Sequence, residues 1–232
     1  MSLDRIDAAP LTRALNLLGL AGPGERGRSR AIALDMAERA LIASLFASFA
    51  HRMLADGART ASLGALLAVL SEALPFFFVL FRAPAKSLSL RPGDWLIAIT
   101  ATVAPLLVQP AFGGSATLVG VTVGYGLMMA GLFVQVSAKI MLGRRFGLVP
   151  ANRGVRMLGP YRFVRHPMYA GYTITHIGFL VAMPSPLNAA IYAFALAMQL
   201  LRIAREEAVL MQDPLYSDYA GRVRYRLFPG LY

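Results

Sequence analysis

The chain of 232 residues is 57% hydrophobic and only 15% charged, whereas an ordinary soluble domain is about half apolar and about a quarter charged. This composition predicts a membrane protein. The formal net charge of +11 then fits basic segments that face lipid headgroups better than a nucleic-acid partner. The chain has no cysteine, which excludes disulfides and a thiolate nucleophile. Its three histidines show no ligand spacing, so no metal site is expected.

The first 33 residues are polar and are interrupted by glycine and proline, which predicts a mobile or interfacial arm on the cytoplasmic side. Residues 1–24 contain Asp4 and Asp7 and lack the apolar centre of a signal peptide. The arm is therefore expected to stay on the mature chain.

Six apolar stretches follow, and each is long enough, or nearly so, to cross a bilayer core that needs about 20 helical residues. The predicted spans are 34–54, 63–81, 95–112, 116–142, 168–183 and 187–201. The last two are joined by a Pro-Ser-Pro link at 184–186 and are expected to form a tight hairpin. The sequence thus predicts an all-α, polytopic membrane bundle of about six spans. Its domains are the arm, four helices over 34–143 and a catalytic region over 144–232.

The distribution of lysine and arginine predicts the orientation of these spans. From the arm to the C-terminal segment, the successive connections carry five, two, three, none, six, none and five basic residues. Rich and poor segments alternate overall, as the positive-inside rule expects for six crossings with both termini in the cytoplasm.

The run Gly159–Gly171 lies where the most basic connection meets an apolar stretch. Pro167 disfavours the α region at His166 and presets the backbone for a first helical turn. The helix is therefore expected to begin there, with its free N–H groups and positive dipole end near Arg165 and His166. This arrangement predicts an anion site at the membrane surface. Gly171, one turn into the helix, leaves room for a ligand or for another backbone.

A second polar segment follows the last span, which is expected to continue as a helix through 202–211. Arg202 and Glu206 are four residues apart and share a helix face, whereas Glu207 points about 100° away. Both polar segments are predicted on the cytoplasmic side of the final hairpin, so they can meet. Together they offer cationic donors and a carboxylate, which suits a ligand with a carboxylate, an ammonium and a sulfonium, such as S-adenosylmethionine.

Several other residues keep two interpretations. Tyr161 and Tyr169 either stack on an adenine or face a sulfonium, or they belong to an interfacial aromatic belt. Among polar residues within the spans, Glu72 is the main candidate for function. Lys139 is expected to reach the cytoplasmic surface by snorkelling, and His176 is expected to be a hydrogen-bonded packing residue.

Two parts of the chain resemble the isoprenylcysteine carboxyl methyltransferase family, including its bacterial members. The matching stretches are LGRRFGLVPANRGV at 142–155, GPYRFVRHPMYAGY at 159–172, RIAREEAVL at 202–210, and a tail with Tyr216, Tyr219 and RLFPG at 226–230. The resemblance covers about 90 residues. It implies an integral membrane enzyme that uses S-adenosylmethionine.

The resemblance also implies roles for individual residues. The cofactor pocket would be formed by Arg153, Gly154, Val155, Arg156, Tyr161, His166, Pro167, Met168, Tyr169 and Glu206. The catalytic group would be Arg165, Arg202 and Glu207, with Arg202 holding the acceptor. The expected partners are a lipophilic substrate and membrane lipids, without nucleic acid or metal. The expected location is the bacterial inner membrane, with the active site facing the cytoplasm.

Two kinds of methyl acceptor stay open at this point. A carboxylate attacks the methyl group without a general base, so positioning and exclusion of water would determine the rate. An amine, as in phospholipid N-methylation, must first lose a proton, and Glu207 or His166 would then be the candidate base. A small-molecule N- or S-methyltransferase, a sterol-type NADPH reductase and a non-enzymatic membrane protein are the remaining alternatives.

Overall fold

The computed structural model describes residues 36, 39–41, 43–55, 63–80, 87–88, 91–109, 117–143, 151–152 and 154–232. The chain divides into two compact units, Met1–Leu41 and Ile42–Tyr232. In the first unit the described residues are helical, and the predicted arm over 1–33 lies outside the described residues. The second unit carries every element discussed below.

The second unit is built almost entirely from helices. In chain order the helices are α1 (residues 43–55), α2 (Leu63–Leu80), α3 (Pro92–Val103), α4 (Leu118–Leu142), α5 (Pro167–Ala182), α6 (Pro186–Leu210) and α7 (Pro214–Arg222). Short 3₁₀ turns cover Ala104–Leu107 and Gly159–Arg162. Two two-residue strands, β1 (Ser87–Leu88) and β2 (Ala151–Asn152), pair antiparallel.

Proline and polar caps determine where several helices begin. Helices α3, α5, α6 and α7 each have proline as the first residue, a position where its missing N–H costs nothing. Ser185 accepts a hydrogen bond from the Asn188 N–H at the start of α6, and Asp213 accepts one from the Leu215 N–H at the start of α7. The prediction that Pro167 begins a helix is confirmed.

The six apolar stretches correspond to helices, but they differ in length. Among the described residues, α4 and α6 are long and apolar enough to cross a membrane. The apolar helical stretches Leu63–Ala73, within α2, and Pro92–Leu107, which is α3 with the 3₁₀ turn after it, are shorter. The third predicted span, 95–112, is shortened because Pro105 falls inside it and the helix tightens to a 3₁₀ turn that ends at Leu107. The six predicted crossings therefore stay a prediction.

Glycines bring α4 and α5 into close contact. A Cβ added at Gly131 would lie 2.7 Å from the Gly171 carbonyl oxygen, and one at Gly178 would lie 2.6 Å from the Gly124 carbonyl oxygen. The spacing is seven residues on both helices, so the glycines form two facing pairs along one seam. Small residues at such positions let helix backbones approach closely. The space at Gly171 is thus filled by a neighbouring backbone, one of the two predicted alternatives.

The seam joins two ends of the helical unit with different cores. One hydrophobic cluster includes Phe49, Met128 and Phe179. The other includes Tyr161, Tyr169 and Ile203, and it surrounds the polar residues that the sequence marked as a site. Large apolar side chains remain exposed on the outside, among them Leu118 and Phe133 on α4, which are 83% and 73% exposed.

Candidate functional site

The segment before α5 is held in place by the C-terminal tail. The backbone N–H groups of Arg165 and His166 donate to the carbonyl oxygens of Tyr225 and Arg226, at 2.9 and 2.8 Å. This pairing places both side chains at the N-terminal end of α5, beside the C-terminal part of α6. The predicted meeting of the two polar segments is confirmed: the His166 Nδ1 and the Glu206 Oε2 lie 3.9 Å apart.

Glu207 is the centre of a buried charged cluster. Arg165 donates to it through Nε at 2.6 Å and Nη2 at 3.2 Å, which is a two-pronged contact. Arg226 donates through Nε at 2.7 Å, the His166 Nε2 lies 3.1 Å from Oε1, and the Tyr216 hydroxyl donates at 3.4 Å. A carboxylate with these four partners uses its oxygens to brace the surrounding elements. We call this the Glu207 cluster.

Glu206 faces a different set of residues, as its position one step along the helix predicts. Its Oε1 accepts hydrogen bonds from the Tyr169 hydroxyl at 2.6 Å and from the Arg202 Nε at 3.2 Å, which confirms the predicted Arg202–Glu206 pair. The Arg202 guanidinium also lies 5.3 Å from the centre of the Tyr169 ring. The Arg202 Nη1 donates to the Thr102 hydroxyl at 3.4 Å, which links α6 to α3.

The tail after α7 completes this end of the molecule. Arg165 Nη1 donates to the carbonyl oxygens of Val223 and Arg224, both at 2.9 Å. The hydrogen bond to Glu207 raises the pKa of Arg226 above its ordinary value. The Tyr219 hydroxyl donates to the Tyr161 carbonyl oxygen at 2.7 Å. Burial raises the pKa of Tyr219, so its phenol stays neutral and keeps donating.

The other predicted cofactor residues divide into several groups. Val155 packs against the hydrophobic cluster that contains Tyr161, Met168 and Tyr169, and Tyr161 and Glu206 interact electrostatically. Gly154 has a positive φ of 94°, and Arg156 is exposed. Pro167 is buried as the first residue of α5. Arg153 lies outside the described residues.

A cavity lies beside Tyr169 and Arg202, between α2, α3, α5 and α6. Its volume is about 30 Å³, and its lining residues are Glu72, Ala101, Thr102, Pro105, Met168, Tyr169, Tyr172, His176, Gln199 and Arg202. A second cavity of about 200 Å³ lies between α5 and α6 and is mainly apolar, with lining residues such as Ile177, Leu180 and Leu196. His176 and Gln199 line both cavities.

Among the deeper polar residues, the expectation for Lys139 is wrong. That for His176 holds for its packing against Tyr192 but not for a hydrogen bond at Nε2 within the described residues. Lys139 does not snorkel: it is fully buried, donates to the Gln135 Oε1 at 3.4 Å, and lies 4.7 Å from the centre of the Tyr172 ring. The His176 Nε2 is buried and makes no hydrogen bond within the described part of the chain. Its nearest charged neighbour is the Glu72 Oε1, 3.7 Å away.

Sequence reasoning missed three residues that take part in the Glu207 cluster or support it. Arg226 and Tyr216 contact Glu207 directly, and Tyr219 fastens α7 to the turn before α5. The signal for them was present, because arginine and tyrosine recur along the tail and belong to the motif at 216–230. The tail folds back onto α5 and α6.

Comparison with family models adds one finding to this geometry. Residues 119–217 match the family model described as phospholipid methyltransferase. The match begins in α4 and ends in α7, so it includes both polar segments and the hairpin between them. It covers somewhat less than half of the chain, and it supports a methyltransferase without separating an isoprenylcysteine-type acceptor from a phospholipid. A comparison with curated proteins finds no match.

Proposed function

We propose that the protein is an S-adenosylmethionine-dependent membrane methyltransferase that acts on a lipophilic acceptor. The observation that carries the proposal is the convergence of His166, Tyr169 and Glu206 at one end of the helix pair α5 and α6, inside the region that matches the methyltransferase family. The exposed apolar surface and the two long apolar helices support a membrane location. The charge pattern favours a site that faces the cytoplasm.

The residues present fit the methyl donor. Among the described residues, the Glu206 Oε1 accepts two hydrogen bonds and Oε2 has only the His166 nitrogen nearby, at 3.9 Å. This carboxylate can therefore still receive the ammonium of an amino acid. The first-turn N–H groups of Met168 and Tyr169 make no backbone hydrogen bond within the described residues. Such groups at a helix N-terminus receive a carboxylate well. When bound, the donor supplies a methyl group on a positively charged sulfur.

The Glu207 cluster serves to position these groups. Because Arg165 and Glu207 hold each other in two-pronged contact, they fix the start of α5 against α6. Arg226 joins the tail to the same carboxylate. We therefore assign Arg165 and Glu207 a positioning role, with Glu206 and His166 facing the donor.

Two acceptors are consistent with this site. For a carboxylate of the isoprenylcysteine type, Arg202 would orient the acceptor, although it would have to share its guanidinium with Glu206. For a phospholipid amine, the family match adds support, and the cavity offers the Glu72 carboxylate to a cationic headgroup. A sterol-type reductase is the less favoured alternative, because the family match is to a methyltransferase.

The role of Glu206 is testable by the affinity of the purified protein for S-adenosylhomocysteine. A Glu206→Gln variant keeps the shape of the side chain and removes its charge. A hydrogen bond to a charged group contributes about 1.5–3 kcal/mol, so we expect binding to weaken roughly 10- to 150-fold. The exposed carboxylate Asp218 on α7 provides the control, because Asp218→Asn should leave the affinity unchanged. Equal affinity in wild type and Glu206→Gln would refute the assignment.

A further inference from the structure

We infer that His176, paired with Glu72, is the general base that removes a proton from an amine acceptor. This inference rests on the proposed function and adds to it a catalytic residue and a chemical class of substrate. Glu72 is on α2 and His176 is on α5, and we call them the Glu72–His176 pair.

The His176 imidazole has the surroundings expected of a proton acceptor. Its Nε2 is buried and has no hydrogen-bond partner in the described part of the chain, and His176 is 8% exposed. Buried polar atoms are nearly always hydrogen-bonded, so one that is not calls for an explanation. The Glu72 carboxylate, 3.7 Å away, gives a protonated imidazole an ion-pair partner. The Tyr192 ring, stacked at 4.2 Å between centroids, keeps the imidazole in place.

The pair lines the polar cavity of about 30 Å³ between α2, α3, α5 and α6. Glu72 and His176 line it together with Tyr169 and Arg202, and both of these contact Glu206. His176 follows Tyr169 by seven residues on α5, which places it two turns, or about 10 Å, deeper along the helix. His176 and the two neighbours of Glu206 therefore line the same cavity, at different depths along the helices.

The second cavity indicates where the hydrocarbon part of such an acceptor would lie. It is mainly apolar, with about 200 Å³ between α5 and α6, and His176 and Gln199 form the wall that it shares with the polar cavity. An acceptor with an alkyl chain in the apolar cavity would therefore present its headgroup at His176. This geometry favours an amine at the end of a lipid.

The two bases suggested by the sequence are less suited to this step. Glu207 accepts hydrogen bonds from two arginines and from Tyr216. The His166 Nε2 lies 3.1 Å from the same carboxylate. Proton transfer to either group would disturb the Glu207 cluster, whereas the His176 Nε2 has no hydrogen bond to the residues that the structure describes.

The proposed methyl transfer conserves protons and charge. An acceptor enters as an ammonium, and the His176 Nε2 takes one of its protons. The nitrogen lone pair then forms the bond to the methyl carbon as the carbon–sulfur bond of S-adenosylmethionine breaks, and the bonding electrons stay on sulfur. The products are a methylated ammonium, S-adenosylhomocysteine and one proton on His176. Glu72 stabilises that imidazolium until the proton leaves.

Several charged and titratable groups set the field around the pair. Lys139 on α4, Tyr172 on α5 and Tyr192 on α6 each interact electrostatically with Glu72. Arg202 on α6 lines the same cavity.

The test compares wild type with His176→Gln, Glu72→Gln and His51→Gln in detergent solution. His51 is an exposed histidine on α1 and serves as the control. Methyl transfer from labelled donor is measured to phosphatidylethanolamine and to a prenylcysteine carboxylate, with pH varied from about 5 to 9, the range around histidine titration. The S-adenosylhomocysteine affinity and the rate of His176 carbethoxylation, followed by mass spectrometry, give readouts independent of turnover.

General bases contribute about 10²–10⁴-fold, so His176→Gln should lower kcat for the amine at least about 100-fold. The affinity for S-adenosylhomocysteine should not change. In wild type the rate for the amine should rise with pH, and this rise should be absent from His176→Gln. Phosphatidylethanolamine, but not phosphatidylglycerol, should slow the carbethoxylation. Glu72→Gln removes the ion-pair partner of the protonated imidazole and should lower kcat for the amine.

Amine turnover that survives in His176→Gln would overturn the inference, as would wild-type transfer to the carboxylate alone. The retained affinity for S-adenosylhomocysteine separates a lost base from a lost fold. If His176→Gln fails to fold, two other results test the inference. They are the kcat of Glu72→Gln for the amine and the protection of His176 from carbethoxylation by phosphatidylethanolamine in wild type. Absence of S-adenosylhomocysteine binding to wild type would instead refute the proposed function itself.

Discussion

The Glu207 cluster and the Glu72–His176 pair are both buried acid–base groups, yet they differ greatly in how many hydrogen bonds they make within the described residues. Glu207 has close contacts to Arg165, His166, Arg226 and Tyr216. In the deeper pair, the nearest oxygen and nitrogen are 3.7 Å apart, and the His176 nitrogen has no hydrogen bond in the described part of the chain.

The difference distinguishes a structural role from a role in proton transfer. A fully paired buried charge is costly to disturb, so the Glu207 cluster is suited to fixing α5, α6 and the tail in one arrangement. An unpaired buried nitrogen beside a carboxylate is suited to exchanging a proton. Glu206 lies between these two extremes, with one oxygen engaged and the other available to a ligand.

The largest effect should come from breaking the Glu207 cluster. A Glu207→Gln variant leaves the buried Arg165 and the half-exposed Arg226 without their anion, and removing one partner of a buried ion pair costs about 3–5 kcal/mol. We expect a large fall in the thermal midpoint of the detergent-solubilised protein. Arg165→Lys, which keeps the charge but loses the two-pronged contact, should cost less. A Glu207→Gln midpoint equal to that of wild type would show that the cluster does not hold this end together.

A smaller effect should come from the glycine seam between α4 and α5. In Gly131→Ala the new methyl group would lie 2.7 Å from the Gly171 carbonyl oxygen, so α4 and α5 must separate. Overpacking of this kind costs typically about 1–3 kcal/mol.

Gly126 on the same helix supplies the matched control, since a Cβ there meets nothing within 4 Å. Gly126→Ala should leave the thermal midpoint unchanged or raise it slightly. If both variants lowered the midpoint equally, the close approach of α4 and α5 would not be the cause.

Local signals in the sequence were sufficient for the helices and for the meeting of the two polar segments. Pro167 fixes the start of α5, and the spacing of Arg202 and Glu206 fixes their shared face, because both depend on neighbouring residues. The short Pro-Ser-Pro link then brings the start of α5 and the end of α6 to the same side of the molecule. These features follow from backbone restrictions and helix periodicity.

Local sequence patterns do not predict contacts between residues that are far apart in the chain. Arg226 reaches Glu207 only because α7 turns the tail back, and no periodicity encodes that return. Lys139 stays inside because Gln135 and the ring of Tyr172 receive it. A snorkelling rule that considers one helix alone does not include these partners.

The most direct test of the account is the ligand that the purified protein binds. S-adenosylhomocysteine should raise the thermal midpoint of the detergent-solubilised wild type in a concentration-dependent way, because it binds the folded form. NADPH should leave the midpoint unchanged. Stabilisation by NADPH without stabilisation by S-adenosylhomocysteine would contradict the account and favour a reductase.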